Sequence, residues 1–362
     1  MQSDNKPSRA RRGSGGRKGN KRANAVGLQQ IAWQIPKNTD TPIAPLPPEG
    51  VAAIHHTAMR ILEEVGVEFL NLEAVDTLRQ AGCTISNETP NGALVKMDRT
   101  LVMDKLAHAP EKFSITPRNL DRQIIIGGQH MVFGSIASPP NCADLERGRR
   151  PGDRQSHRDL VKLSQYFNCI HFIGGYPVEP VDSHASVRHL DCLHDHLTLS
   201  DKVVHAYSLG AGRVDDVMEM VRIAGGLSEQ QFAQTPRMFT NINSTSPLKH
   251  DFPMLDGLMR LSRCGQPTVV TPFTLAGAMS PITLAGTVAQ SIAEALCAVV
   301  LIQIINPGCP CAIGTFSSNV DMKTGAPAFG TPEYMRATQM TGQMARCLLY
   351  TSDAADEFGC VD

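Results

Sequence analysis

The stretch GTFSSNVDMKTGAPAFGTPEY (Gly314 to Tyr334) places two carboxylates, Asp321 and Glu333, and the amine of Lys323 in a loop punctuated by glycines and prolines. It follows a short apolar run, PCAIG, and leads into a helical pattern. Acids in such a loop act either on a ligand, as proton carriers or charge partners, or on the chain itself, as turn and capping residues. Asp321 precedes a glycine turn. Glu333 falls in the first turn of the next helix, where the dipole favours a negative charge. Both are candidate catalytic residues. Gly325, Pro327 and Gly330 are expected to shape the loop, through backbone angles open to glycine and a fixed φ.

Metal chemistry is the rival possibility. The segment RHLDCLHDHL holds His189, Asp191, Cys192, His194 and His196, with His184 just before it. Zinc-binding HExxH helices set two histidines four apart on one face. Here successive histidines are five and two apart, so their imidazoles point in different directions and no metal is expected. Solvated or packed helix histidines are the default, as for His55, His56, His108, His130, His157 and His171. His205 lies within a predicted strand. His250, near a strand's C-terminal end, is kept as a candidate substrate contact. Cys309 and Cys311 lack CxxC spacing. Ten cysteines scattered through a long chain indicate reduced thiols and a cytoplasmic setting.

The elements that must carry these residues follow from composition and periodicity. The chain has 362 residues, 42% of them hydrophobic, with 34 basic against 35 acidic side chains. Residues 1–30 open with Lys6, Arg9, Arg11, Arg12, Arg17, Lys18, Lys21 and Arg22 against Asp4 alone, and read as a disordered basic tail without the apolar core of a signal peptide. A nucleic-acid role is not expected of it. The longest apolar run, ALCAVVLIQII, is too short to span a bilayer. Residues 31–129 form a helical extension: VAAIHHTAMRILEEVGV, LEAVDTLRQAG and DRTLVMDKLAHAP have helical spacing, and short strands follow. Over 130–346, strand candidates MVFGS, CIHFIGG, KVVHAYS, RMFTNIN, PTVVTPF and CAIGTF alternate with amphipathic helices. That rhythm predicts an α/β fold with a parallel sheet. Without an early GxGxxG it favours a (β/α)8 TIM-type barrel, of which about six βα units are present.

Two long motifs then resemble the trimethylamine methyltransferase (MttB) family of corrinoid-dependent methylamine and betaine methyltransferases. They are TPFTLAGAMSPITLAGTVAQSIAEAL (Thr271 to Leu296) and INPGCPCAIGTFSSNVDMKTGAPAFGTPEY (Ile305 to Tyr334), with weaker support from AAIHHTAMRILEEVGVEF and RPGDRQSHRDLVKLSQYF. The resemblance covers roughly residues 28–346. Residues 347–362, with LLYTSDAADE, resemble translated adaptor sequence and are expected to be non-native, leaving the barrel C-terminally truncated.

The resemblance implies a barrel that moves a methyl group from a tertiary or quaternary amine, such as trimethylamine or glycine betaine, to the cobalt of a corrinoid. A partner protein carries that corrinoid. Such a pocket needs ring faces for a cation and donors for any substrate carboxylate. Tyr176, Tyr207, Phe273 and Phe316 are candidate rings at predicted strand ends; packing is the alternative for each. Asn241, Asn243, Ser244, Thr274, Ser317, Ser318 and Asn319 are candidate hydrogen-bonding residues, or turn and capping residues. A homo-oligomer is expected, and no membrane association. The other readings are a truncated, non-catalytic fragment and a metal-dependent barrel hydrolase or lyase.

Overall fold

The computed structural model of the chain describes residues 28–206 and 210–349. Most of the basic tail, residues 350–362 and Tyr207 therefore lie outside the described residues.

The first helix, α1 (Pro48–Arg60), has proline at its first position, where the missing N–H has no intrahelical partner to lose. It runs on as a π-turn, Ile61–Val65, and stops at Gly66, whose φ of 87° favours glycine. After β1 (Val67–Phe69), α2 (Leu72–Gln80) is capped by the Asn71 side chain, which accepts from the Ala74 N–H. Strands β2 (Thr84–Thr89) and β3 (Gly92–Lys96) precede α3 (Arg99–Leu106), capped by Asp98. Both β1 and β2 pair antiparallel with β3. The N-terminal extension is thus not helical alone. The hairpin formed by β4 (Phe113–Ile115) and β5 (Ile124–Ile126) follows, then a second one from β6 (Asn141–Asp144) and β7 (Gly148–Pro151).

From there strand and helix alternate: α4 (Arg154–Tyr166), β8 (Phe172–Ile173), α5 (Arg188–Leu199), β9 (Val203–His205), α6 (Ala211–Ala224), α7 (Glu229–Gln234) and β10 (Met238–Ile242). Next come β11 (Lys249–His250), α8 (Phe252–Arg263), β12 (Thr268–Val270), β13 (Leu275–Ala276), α9 (Leu284–Ile305), β14 (Cys311–Ile313), β15 (Ser318–Asn319) and α10 (Pro332–Leu349). The main sheet has the order β14-β12-β10-β9-β8, every pair parallel. Its neighbours follow chain order, as successive βα units require. The expected strand MVFGS contributes a single parallel bridge, Gly134 to Phe172, so it borders β8 without forming a strand.

Side chains alternate across this sheet. Val204 and Met238 pack among helices α5, α6 and α8, while Ile242, Val270 and Cys311 join the core around α9. Val203, Phe239 and Val269 point the other way, against Ile115 and Ile124 of the β4–β5 hairpin and against Trp33.

Helix α9 explains why the extension exists. Every residue from Thr287 to Gln303 is buried. The extension's α1, α2 and α3 cover one side of α9, and α8, α10 and strands β12 to β14 close the rest. A helix with apolar residues on every side needs such enclosure, and its few polar side chains need internal partners. Leu284–Ile305 is long and apolar enough to cross a membrane, but 89% of its most apolar window is buried inside the protein. Strand β11 joins the layers a second time by pairing parallel with β1.

Leu296, with no exposed surface, sits at the middle of α9. Leu296→Ala is expected to destabilise the protein by about 2–5 kcal/mol, the range for emptying a core leucine site. The urea midpoint should fall at unchanged slope; a loss below about 1 kcal/mol would show that α9 is not the core.

Candidate functional site at the strand ends

Beyond the main sheet, the segments leaving β12 and β14 stay together. The Phe316 N–H donates to Pro272 O at 3.1 Å, the Ser318 N–H donates to Thr274 O at 3.2 Å, and β13 then pairs parallel with β15. This short ribbon places Phe273 and Phe316 side by side, with ring centroids 5.7 Å apart. The row continues: Phe316 to Phe329 is 5.2 Å and Phe329 to Tyr334 is 5.7 Å. Phe316 is 42% exposed and Phe329 51%, so ring surface faces solvent at the C-terminal ends of parallel strands. Open α/β sheets bind ligands at that end.

The polar candidates of the ribbon are turned inward. Thr274 and Ser317 are fully buried and their hydroxyls bond each other; Thr315 Oγ1 donates to Ser317 Oγ at 2.9 Å. Buried Ser318 donates to Ala328 O at 3.0 Å. These three hydroxyls fasten the loop. Asp321 is exposed and accepts from the Lys323 N–H (2.9 Å), the Thr324 N–H (2.8 Å) and the Thr324 hydroxyl (3.0 Å). Those bonds, the backbone one of Thr324 foremost, hold its carboxyl below the ordinary aspartate value. Glu333 is exposed in the first turn of α10. The Tyr334 N–H donates to Thr331 Oγ1 at 3.3 Å, and that hydroxyl donates to Asn319 Oδ1 at 2.8 Å. Gly325 and Gly330 take φ of 71° and 81°, and Pro327 bridges to Val320.

The remaining candidates are not part of this aromatic row. Asn243 is exposed just past β10, and half-buried Asn241 hydrogen-bonds His205. Tyr176 is half-buried, its ring edge-on to His157 at 6.1 Å, close to α4 and away from the aromatic row. Ser244 is buried, bonded to Glu294 of α9. His250 is fully buried and its ring bonds the Glu294 carbonyl oxygen at 3.0 Å, so it does not reach the rim.

Three residues of this region escaped the sequence reading: Phe329, Tyr334 and Glu294. The rings lie inside the opening motif, but only the ribbon's geometry brings them to Phe316. Glu294 did leave a signal, being the lone acid in SIAEALCAVVLIQII.

The histidine-rich segment is α5. His189 bonds Asp216 at 2.8 Å, His194 is exposed, and His196 stacks on His157 at 5.4 Å and 3° between planes. Among the described residues no group of three or more His, Cys, Asp or Glu could hold a metal ion. The buried rings are instead driven neutral. Burial pushes His196 down to about 3, with the charges of His157 and His205 adding to it. Burial likewise takes His205 down to about 4 and lowers His157.

The chain is thus an α/β protein with solvent-facing rings at the C-terminal ends of its parallel strands. More particularly, it belongs to the trimethylamine methyltransferase (MTTB) family, whose profile matches residues 11–353. It is 33% identical, over 296 residues, to the glycine betaine methyltransferase of Desulfitobacterium hafniense (strain Y51), covering 82% of this chain and 60% of that one. It is 28% identical to the proline betaine:corrinoid methyltransferase of Eubacterium limosum, covering 78% and 58%. With the trimethylamine methyltransferase MttB of Desulfitobacterium hafniense (strain DSM 10664 / DCB-2) the identity is 27%, covering 79% and 57%. The chain spans about 60% of the length of the curated relatives it matches. Among solved structures, a hydroxylamine MtmB complex aligns with a TM-score of 0.49 and 10% identity, over 86% of this chain and 60% of that one.

The buried histidines set a pH dependence. Their folded pKa values lie below the ordinary one near 6.5, so the unfolded chain takes up protons first. Their contribution is complete above about pH 6.5 and is lost as pH falls through the interval down to about 4 for His205 and about 3 for His196. The urea midpoint should therefore drop between pH 7.5 and pH 5, and drop less in His196→Phe. Equal drops in both proteins would show that His196 binds its proton equally well in the folded and unfolded chain, against the lowering that burial implies.

Proposed function

We propose that the protein transfers a methyl group from a methylated amine to the cobalt of a corrinoid carried by a partner protein. Family membership and the relatives' names support the reaction class. The observation that carries the site is the aromatic row Phe273, Phe316, Phe329 and Tyr334 at the ends of β12 and β14. We further read β8, β9, β10, β12 and β14, with the segment at Gly134, as six successive units of a (β/α)8 barrel. Residues 130–346 make up that barrel, and 31–129 the extension that covers α9.

The corrinoid is the acceptor, and its reduced cobalt supplies a nucleophile able to displace an amine at carbon. The chain's own task is to hold the amine with one methyl accessible. Ring faces attract an ammonium by about 0.5–2 kcal/mol each while leaving its methyl groups uncovered. A quaternary ammonium leaves as a neutral amine without a proton, whereas a tertiary amine must first be protonated. The two acids of the loop are poorly placed to supply one. Asp321 is held ionised by three turn donors, and Glu333 points to solvent in the first turn of α10. The reading therefore favours quaternary amines. The exposed rim at Phe316, Met322 and Phe329 is open enough for a protein-borne acceptor to approach.

Incubation with a reduced corrinoid protein and a panel of trimethylamine, glycine betaine and proline betaine tests this. Methylation of the corrinoid, followed in its visible spectrum, is expected with at least one quaternary amine. Phe316→Ala should lower kcat/KM about fivefold or more, the loss expected from one cation–π face. No methylation from any amine, with folded protein and a competent acceptor, would overturn the proposal.

A further inference from the structure

Glu294 lies at the middle of the apolar helix α9 with no exposed surface. Four donors converge on its carboxylate. The Leu248 N–H and Gln290 Nε2 reach Oε1, both at 2.8 Å; Ser246 Oγ reaches Oε2 at 2.6 Å, and Ser244 Oγ bonds the same oxygen. Convergent donors satisfy the lone pairs of a buried carboxylate that has no counter-ion. Among the described residues no lysine or arginine forms an ion pair with it. Lys249, the nearest cation in the loop, pairs with Glu68 at 2.7 Å. The His250 ring bonds the backbone oxygen of Glu294, not its carboxylate, and burial lowers the pKa of that ring.

The location of this charge gives it a use. Ser244 follows Asn243, which is exposed past β10. Gln290, while bonding Glu294, also donates to Met279 O at 2.9 Å, in the segment after β13. The carboxylate therefore stands behind the rim, between the chain segments that leave β10 and β12. We propose that Glu294 is a specificity-determining residue: its uncompensated negative charge makes the rim prefer a cationic amine to a neutral molecule of the same shape. The inference rests on the reading that the strand ends receive a methylated amine. A ligand touching Asn243 is within a few residue lengths of the carboxylate, on the order of 10 Å. At an effective dielectric of about 20, a unit charge at that range changes cation affinity by about tenfold. Exposed Asp321 and Glu333 are screened by solvent and salt; a buried charge is screened much less.

Glu294→Gln separates charge from shape. The amide oxygen keeps the bonds from Leu248 and Gln290. The amide nitrogen then faces the two serines, the only partners whose hydroxyls can turn round and accept. Choline and its uncharged carbon isostere 3,3-dimethylbutan-1-ol are titrated by calorimetry at one pH and low salt. Wild type is expected to prefer choline. In Glu294→Gln choline should bind about tenfold more weakly, with the alcohol unchanged and the urea midpoint close to wild type. Ser244→Ala, which removes one bond and keeps the charge, should retain the preference. If the Gln variant folds poorly, Glu294→Asp and Glu294→Asn, matched in length, make the same comparison, and Asp alone should retain the preference. A preference for choline that survives loss of the charge overturns the role of Glu294. Wild type that binds choline no better than the alcohol overturns the amine reading itself.

Discussion

The structure depends on keeping one helix dry. Helix α9 has no exposed face from Thr287 to Gln303, so neither the parallel sheet nor the extension is sufficient alone; strands β12 to β14 and α1, α2 and α3 all pack on it. This requirement fixes the order of the layers. It also accounts for β11, a two-residue strand that would have little stability by itself and that ties the rim segment after β10 to β1 of the extension. The same helix carries Glu294, so the element that holds the core together also fixes the chain segments behind the candidate site.

Burying a carboxylate at that position is unfavourable unless every lone pair is met. Four donors meet it, and they come from both sides. Ser244, Ser246 and Leu248 belong to the segment after β10, and Gln290 lies one turn back on α9 and reaches on to Met279. A replacement that left those donors unpaired would loosen two rim segments at once. The clasp thus gives the rim a defined shape through hydrogen bonds, while the aromatic row one ribbon away is held by main-chain pairing between β13 and β15.

Much of this was legible in the sequence because the periodic signal was long. The patterns HRDLVKLSQYF, FPMLDGLMRLSRCG and TPEYMRATQMTGQMAR match α4, α8 and α10 to within three residues at each end, and five of six expected strands stand parallel in chain order. What escaped was short or weakly patterned. Strand β2, TISNET, is polar and almost wholly exposed, so it offers no alternation. Only the Asn91-Gly92 turn signalled its hairpin with β3. MVFGS has a strand's composition yet makes one bridge, because composition does not supply a neighbour to pair with. At the site, Phe273 and Phe316 were legible as rings at strand ends, but their meeting depends on a ribbon of two residue pairs that no local pattern encodes. Thr274, Ser317 and Ser318 look like ligand donors in sequence and face inward in the structure, since hydroxyls at the start of a long loop have the loop's own carbonyls and hydroxyls nearest to hand.

The loop from Gly314 to Tyr334 shows why polar residues at a site need to be sorted by whom they serve. Asp321, Thr324, Ser318, Thr331 and Asn319 are all engaged with the loop itself or with the start of α10. Their bonds occupy the loop's hydroxyls, while exposed Asp321, Lys323 and Glu333 share the surface with the row of rings. On the proposed function, the row of rings receives a ligand whose charge is spread over methyl groups, because such a cation loses little hydration on touching a ring and needs no hydrogen bond from the protein. The long polar loop therefore acts in part as a scaffold: the turn bonds of Asp321 and the buried hydroxyls of Thr274, Ser317 and Ser318 hold phenyl rings at the mouth of a parallel sheet.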